Sequence, residues 1–207
     1  MRALHLSLLL LIAAGCGASP GPVPASGKPG DASARGADAW GTFHSTRFGL
    51  TLRLPGGREW RIDDRSKAEL VALHPTTNAK LVALRWYEAD VQTRAGCEAK
   101  ARDRRLVPPA SAVAVDETAG IRPGGDDVRT WVALEPGATP EAPIRGHVTL
   151  VAARLKRCVA VHYETTVPSA KHDQELSLRL ATLREGTLER LTIDDALEGP
   201  VTRERAR

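Results

Sequence analysis

The first clear alternation of apolar and polar positions sets Phe48, Leu50, Leu52 and Leu54 against Gly49, Thr51 and Arg53. Period two is the signature of a strand with one buried face. Pro55-Gly56-Gly57 closes that run as a turn. Trp60 to Ile62 reads as a short second strand. Leu70–Leu73 and Leu81–Tyr87 read as two more, separated by the turn-forming His74-Pro75-Thr76-Thr77-Asn78. Across residues 93–106 the spacing becomes helical. Thr93 is a capping residue, Cys97 and Ala101 fall one turn apart, and Pro108-Pro109 stops the helix. Strands at 112–115 and 128–134 follow, divided by the turn Arg122-Pro123-Gly124-Gly125-Asp126-Asp127, and 136–143 is a loop.

The clearest element is a hairpin of Ile144–Ala153 and Cys158–Val167, joined through Arg154-Leu155-Lys156-Arg157. Setting Ala153 opposite Cys158 fixes the register. Val148 then faces Tyr163, Leu150 faces Val161 and Ala152 faces Val159, which gives one continuous apolar face. The opposite face pairs His147 with Glu164, Thr149 with His162 and Val151 with Ala160. A second helix opens near Ala170, with Leu176, Leu180, Leu183 and then Leu191 on one side, and Gly186 ends or weakens it. Strands, helix, strands and helix in this order predict an α+β fold, an antiparallel sheet with helices packed on it.

Arg2 gives a positive start, Leu4–Ala14 is apolar apart from His5 and Ser7, and the small residues Ala13, Ala14 and Gly15 lead into Cys16. That run is too short to cross a bilayer core, so residues 1–15 read as a processed signal. Ile12-Ala13-Ala14-Gly15-Cys16 resembles the lipobox of bacterial lipoproteins. The resemblance implies cleavage before Cys16, a diacylglycerol (and so palmitate-type) chain on its thiol and an acylated amine. Ala13 stands where that family more often carries Leu. The resemblance further implies a membrane-anchored protein. Gly17 replaces the Asp that commonly retains lipoproteins in the inner membrane, which points to the outer membrane, facing the periplasm or the cell surface. Two or more acyl chains would hold such an anchor stably.

Of the 26 residues from 16 to 41, 19 are Gly, Ala, Ser or Pro. The four prolines discourage helix, so the segment reads as a disordered tether spanning about 28 Å root-mean-square. A single domain is expected over 42–197, with a charged tail at 198–207. Phe48-Gly49-Leu50-Thr51-Leu52-Arg53-Leu54-Pro55 followed by Trp60 resembles the opening of PsbP/Mog1-like domains. That resemblance implies a sandwich over roughly 44–193 and a binding scaffold rather than an enzyme.

With Cys16 lipidated, Cys97 and Cys158 remain, and an exported chain meets an oxidising compartment. A disulfide is the expected state, tying the first helix to the hairpin face opposite Tyr163. Two buried free thiols are the alternative. Zinc is not expected at these cysteines, which lack close-spaced partners.

The remaining composition narrows the function. The chain has 207 residues and a formal charge of +4, with 42% apolar and 4% aromatic residues. That supports one core, and the spread-out charge gives no nucleic-acid face. No phosphate loop, dinucleotide fingerprint or Gly-x-Ser-x-Gly motif occurs, so no cofactor and no catalytic residue is expected. His147, His162 and Glu164 are of metal-ligand type, but His147–Glu164 and Thr149–His162 are ordinary cross-strand pairs that a simple ion pair or a solvated face explains, and no metal is expected. Asp63-Asp64, Asp126-Asp127 and Asp194-Asp195 suit turns and caps. Trp60 and Trp131 suit the core, and Trp40 the exposed end of the tether. Arg102, Arg104 and Arg105 form a basic run that suits solvent, or else anionic headgroups or envelope polymers. The expected function is a lipid-anchored, non-enzymatic envelope module that binds or scaffolds an unidentified partner, another envelope protein or a polymer. The alternative is an envelope hydrolase using carboxylates or histidine.

Overall fold

The computed structural model describes residues 39–195. The signal, Cys16, nearly all of the tether and the charged tail fall outside the described residues. Among the described residues, ten strands and two α-helices follow in order: β1 (Gly41–Ser45), β2 (Leu50–Leu54), β3 (Arg61–Asp63), β4 (Leu70–His74), β5 (Ala79–Tyr87), α1 (Arg94–Asp103), β6 (Val113–Ile121), β7 (Asp127–Glu135), β8 (Ile144–Arg154), β9 (Arg157–Val167), α2 (Asp173–Leu183) and β10 (Thr192–Ile193). Seven strands form one antiparallel sheet in the order β3-β4-β5-β9-β8-β7-β6, and β1-β2-β10 form a small second one. The architecture is α+β, as the element order predicts.

The hairpin register agrees with the sequence reading. Val148 pairs with Tyr163, Leu150 with Val161 and Ala153 with Cys158. Alternation sends Val148, Leu150, Val159, Val161 and Tyr163 to one face, where all five are buried. α2 seals that face. It approaches β8 at Gly146, where an added Cβ would lie 2.7 Å from Leu180 and 2.8 Å from Leu176. The small sheet packs on the same side. Leu50, Leu52 and Leu54 of β2 are at most 1% exposed within the common core, and Arg85 of β5 donates to the Phe48 carbonyl.

Four local details depart from the sequence reading. Gly41 starts a strand and Trp40 packs against the fold, so the ordered fold reaches into the segment read as tether. Residues 57–59 form a 3-10 turn, and the second strand begins at Arg61 rather than Trp60. β6 extends to Ile121, well beyond 115, because β7 supplies ladder partners along its whole length. α2 ends at Leu183 and gives way to a π turn over Arg184–Leu188. Gly186 in that turn is required by packing: its Cβ would fall 1.9 Å from the Trp40 indole. Trp40 is therefore seated on the π turn while staying 39% exposed. Trp60 is core, whereas Trp131 is half-buried beneath the Arg129 guanidinium.

Candidate functional site

α1 is capped and faced as the sequence suggests, but it ends at Asp103, short of the expected 106, because Arg105 turns out of helical conformation. Thr93 caps it by accepting the Gly96 amide, and Cys97 and Ala101 point inward and are fully buried. Cys97 is joined to Cys158, with 5.6 Å between their Cα atoms. Glu98, also buried, accepts from Arg94 and Arg129 at 2.8 Å each, which binds the helix to β7. α1 therefore covers the face of the hairpin opposite Tyr163, over Cys158, Ala160 and Val151.

That cover is incomplete. α1 is only ten residues long, and after it Arg105 adopts φ 57° and turns the chain. Residues 107–110 then line one side of the part of the sheet face that α1 does not cover. Between them and β5, β9 and β8 lies a cavity of about 530 Å³. Its floor is the far end of the same face: Lys80 and Val82 of β5, His162 and Glu164 of β9, and Arg145 and His147 of β8. Its wall is Arg102, Arg105, Val107, Pro108, Pro109 and Ala110. Four cationic side chains thus converge on one concavity. Two are already engaged: Lys80 lies 3.7 Å from Glu164 and Arg145 3.3 Å from Glu135. The basic run at the end of α1 divides, because Arg102 and Arg105 face the cavity while Arg104 lies over the Trp86 ring.

The histidines on the floor are not solvated, which corrects the sequence reading of this face. His147 is 1% exposed and His162 7%. Their rings stack with centroids 5.3 Å apart. His162 Nδ1 lies 2.8 Å from the Thr149 hydroxyl. Both ring nitrogens of His147 are buried without a hydrogen-bond partner, and Glu135 Oε2 stands 3.7 Å from Nε2, beyond hydrogen-bond reach. Burial lowers the pKa of His147, against the pull of Glu164 and Glu135. Burial, then His147 and Lys80, lowers His162 to about 3. Both rings are neutral near pH 7 and present lone pairs to the site. The nearest ligand atoms of His147, His162 and Glu164 all lie within 4.8 Å of one another.

The other candidate residues are structural. Asp63 accepts the Arg65 and Ser66 amides and the Ser66 hydroxyl, and the Ser66 hydrogen bonds hold its carboxyl at about 2. Asp126 pairs with buried Arg157 at 2.5 Å, Asp127 with Arg94 at 3.1 Å and Asp195 with Arg154. A second cavity of about 400 Å³ beside Trp60, Tyr163 and Leu183 holds a chain of groups. The Thr77 hydroxyl lies 2.9 Å from His74 Nδ1, and His74 Nε2 lies 3.2 Å from Glu59. Hydroxyl, imidazole and carboxylate stand in the order of an acyl-transfer relay. Yet His74 Nδ1 also accepts the Thr77 amide at 3.3 Å, which makes it the cap of the 3-10 turn Pro75–Thr77.

Sequence reasoning found His147, His162 and Glu164 but not Lys80, Arg145 or Glu135. Lys80 reaches the site through the pairing of β5 with β9, which sets it opposite Glu164 across more than eighty residues of chain. Arg145 and Glu135 meet as partners in the β7–β8 ladder. The usable signal was the hairpin register, which already put residue 145 on the face of His147.

No family model and no curated protein sequence matches the chain. Among solved structures it is similar to the solution structure of cyanobacterial PsbP (CyanoP) from Synechocystis sp. PCC 6803, with 10% identity and a TM-score of 0.47 over 80% of this chain and 98% of that one. It is also similar to a Bacteroides thetaiotaomicron protein, with 9% identity and a TM-score of 0.44. That match covers 75% of this chain, which spans about half (49%) of the Bacteroides chain. Neither similarity bears on what the cavity binds.

Proposed function

We propose that this protein is a lipid-anchored, non-enzymatic module of the cell envelope that binds an anionic envelope polymer through the cavity beside α1. The observation that carries the reading is the convergence of Lys80, Arg102, Arg105 and Arg145 on one concave surface. Among the described residues, Lys80 and Arg145 have carboxylate partners there and no ion pair engages Arg102 or Arg105, so the wall is left with a cationic surplus. Cationic clefts focus field lines and draw anions. The leader over residues 1–15, Cys16 after it and the Gly/Ala/Ser/Pro-rich tether support display close to a membrane. The disulfide supports an oxidising compartment.

The test is binding of phosphorylated lipopolysaccharide core oligosaccharide by calorimetry. The paired substitution Arg102→Glu/Arg105→Glu is expected to weaken it by about tenfold or more, since each charge-assisted contact contributes about 1.5–3 kcal/mol. Equal affinity of wild type and variant contradicts the reading. The alternative, a hydrolase, draws on the Thr77–His74–Glu59 chain. The shared lone pair of His74 Nδ1 favours a cap over a base. Ester hydrolysis by the wild-type protein that disappears in Thr77→Val would reverse that preference.

A further inference from the structure

We propose that His147, His162 and Glu164 form a binding site for one divalent transition-metal ion, taken in the first instance as zinc. The inference goes beyond polymer binding and does not depend on it.

Three observations converge. The ligand atoms lie within 4.8 Å of one another. Zinc holds imidazole and carboxylate atoms at about 2.0–2.2 Å, so neighbouring ligands of a tetrahedral ion are separated by about 3.4 Å. Closing the largest separation takes up to about 1.4 Å of side-chain movement, and Glu164 is the half-exposed member of the three. Next, His147 is 1% exposed with neither ring nitrogen hydrogen-bonded. Buried polar groups in folded proteins are rarely left unpaired, and a metal would satisfy this one. Finally, the Thr149 hydroxyl at 2.8 Å from His162 Nδ1 is an outer contact of the kind that fixes a ligating imidazole. With Nδ1–H donated to Thr149, the Nε2 lone pair is left for an ion.

Two imidazoles and a carboxylate, all from adjacent strands, leave a fourth position directed at the cavity. Three protein ligands with an open position is the pattern of an accessible zinc site rather than a closed structural one. The ion must displace Lys80 as the partner of Glu164, from 3.7 Å. Lys80 therefore opposes metal entry, and its removal should tighten binding.

The experiment is a titration of untagged, disulfide-bonded protein, stripped with chelator, with Co²⁺ followed by its visible absorption and with Zn²⁺ by calorimetry. The expected result is one ion per chain and a Co²⁺ spectrum of four-coordinate type. Glu164→Gln and His162→Gln are each expected to weaken uptake by at least about tenfold, and Lys80→Met to strengthen it. Far-UV circular dichroism checks that each variant is folded; Glu164→Gln, at a half-exposed position, is the variant least able to disturb the core. Absence of stoichiometric uptake by the folded wild-type protein overturns the proposal. So does wild-type affinity in both the Glu164 and His162 variants, which would place the ion elsewhere.

Discussion

The two ends of one sheet face, on the same pair of strands, are treated oppositely. Under α1 the face carries Val151, Ala153, Cys158 and Ala160, all at most 4% exposed and sealed by a helix covalently tied down. Beyond the end of α1 it carries Arg145, His147, His162 and Glu164 around a cavity. The opposite face, under α2 and the small sheet, is apolar throughout its central part. Small and apolar residues occupy the strands where a helix lies close, and polar residues return where the cover stops. What separates the open end from an ordinary solvated surface is that its histidines are buried all the same. Burying an imidazole without partners costs stability, so the open end holds a cost that packing alone does not explain.

Removing the cover should show the largest effect. Reduction of the disulfide, or Cys97→Ser with Cys158→Ser, opens a loop with a sequence separation of 61. The expected loss is about 4 kcal/mol in the chain-entropy model, read from urea unfolding with and without reductant. An unchanged midpoint would mean that α1 is held by packing alone.

Acid should act next, and at the open end. His162 is lowered to about 3 when folded, against about 6.5 in an unfolded chain. Between those values the unfolded state binds more protons. The contribution of the neutral ring is complete above pH 6.5 and is lost as the pH falls toward 3. In chelator, acidification from pH 7 to 4 is expected to remove up to about 3 kcal/mol through this group. His162→Gln should flatten that part of the profile, and an identical slope in wild type and variant would contradict the assignment.

On the opposite face, Gly146→Val should push Leu176 and Leu180 away from β8 and cost about 1–3 kcal/mol in thermal unfolding, without touching the cavity. The smallest effect on stability, within about 0.5 kcal/mol, is expected for Arg102→Glu/Arg105→Glu, both exposed. The same variant should lose anionic ligand, which separates function from folding.

Much of this comparison was legible along the chain, because its strongest signals are local. Thr93 as cap, the Cys97–Ala101 spacing, the hairpin register and the bridge to Cys158 all follow from residues near one another or from cysteine chemistry. Element limits decided by tertiary partners were not legible. β6 runs to Ile121 because β7 lies beside it, and α2 stops at Leu183 where Trp40 sits against Gly186. The site was half legible. Register placed His147, His162 and Glu164 together, but period-two alternation says only which face a residue takes, not whether a helix covers it. The length of α1 and the turn at Arg105 decide that, and they left the histidines buried beside a cavity instead of open to water.

The central claim is that the uncovered end of this sheet face is where the protein meets its ligand. Nitrogen-15 and proton NMR of the labelled protein during titration with phosphorylated lipopolysaccharide core oligosaccharide tests it most directly. The account predicts shifts confined to Lys80, to residues 102–110 and to Arg145, His147, His162 and Glu164, with the α2 face silent. Shifts centred on the cavity at Trp60 and His74, or none in a folded and oxidised sample, would contradict it.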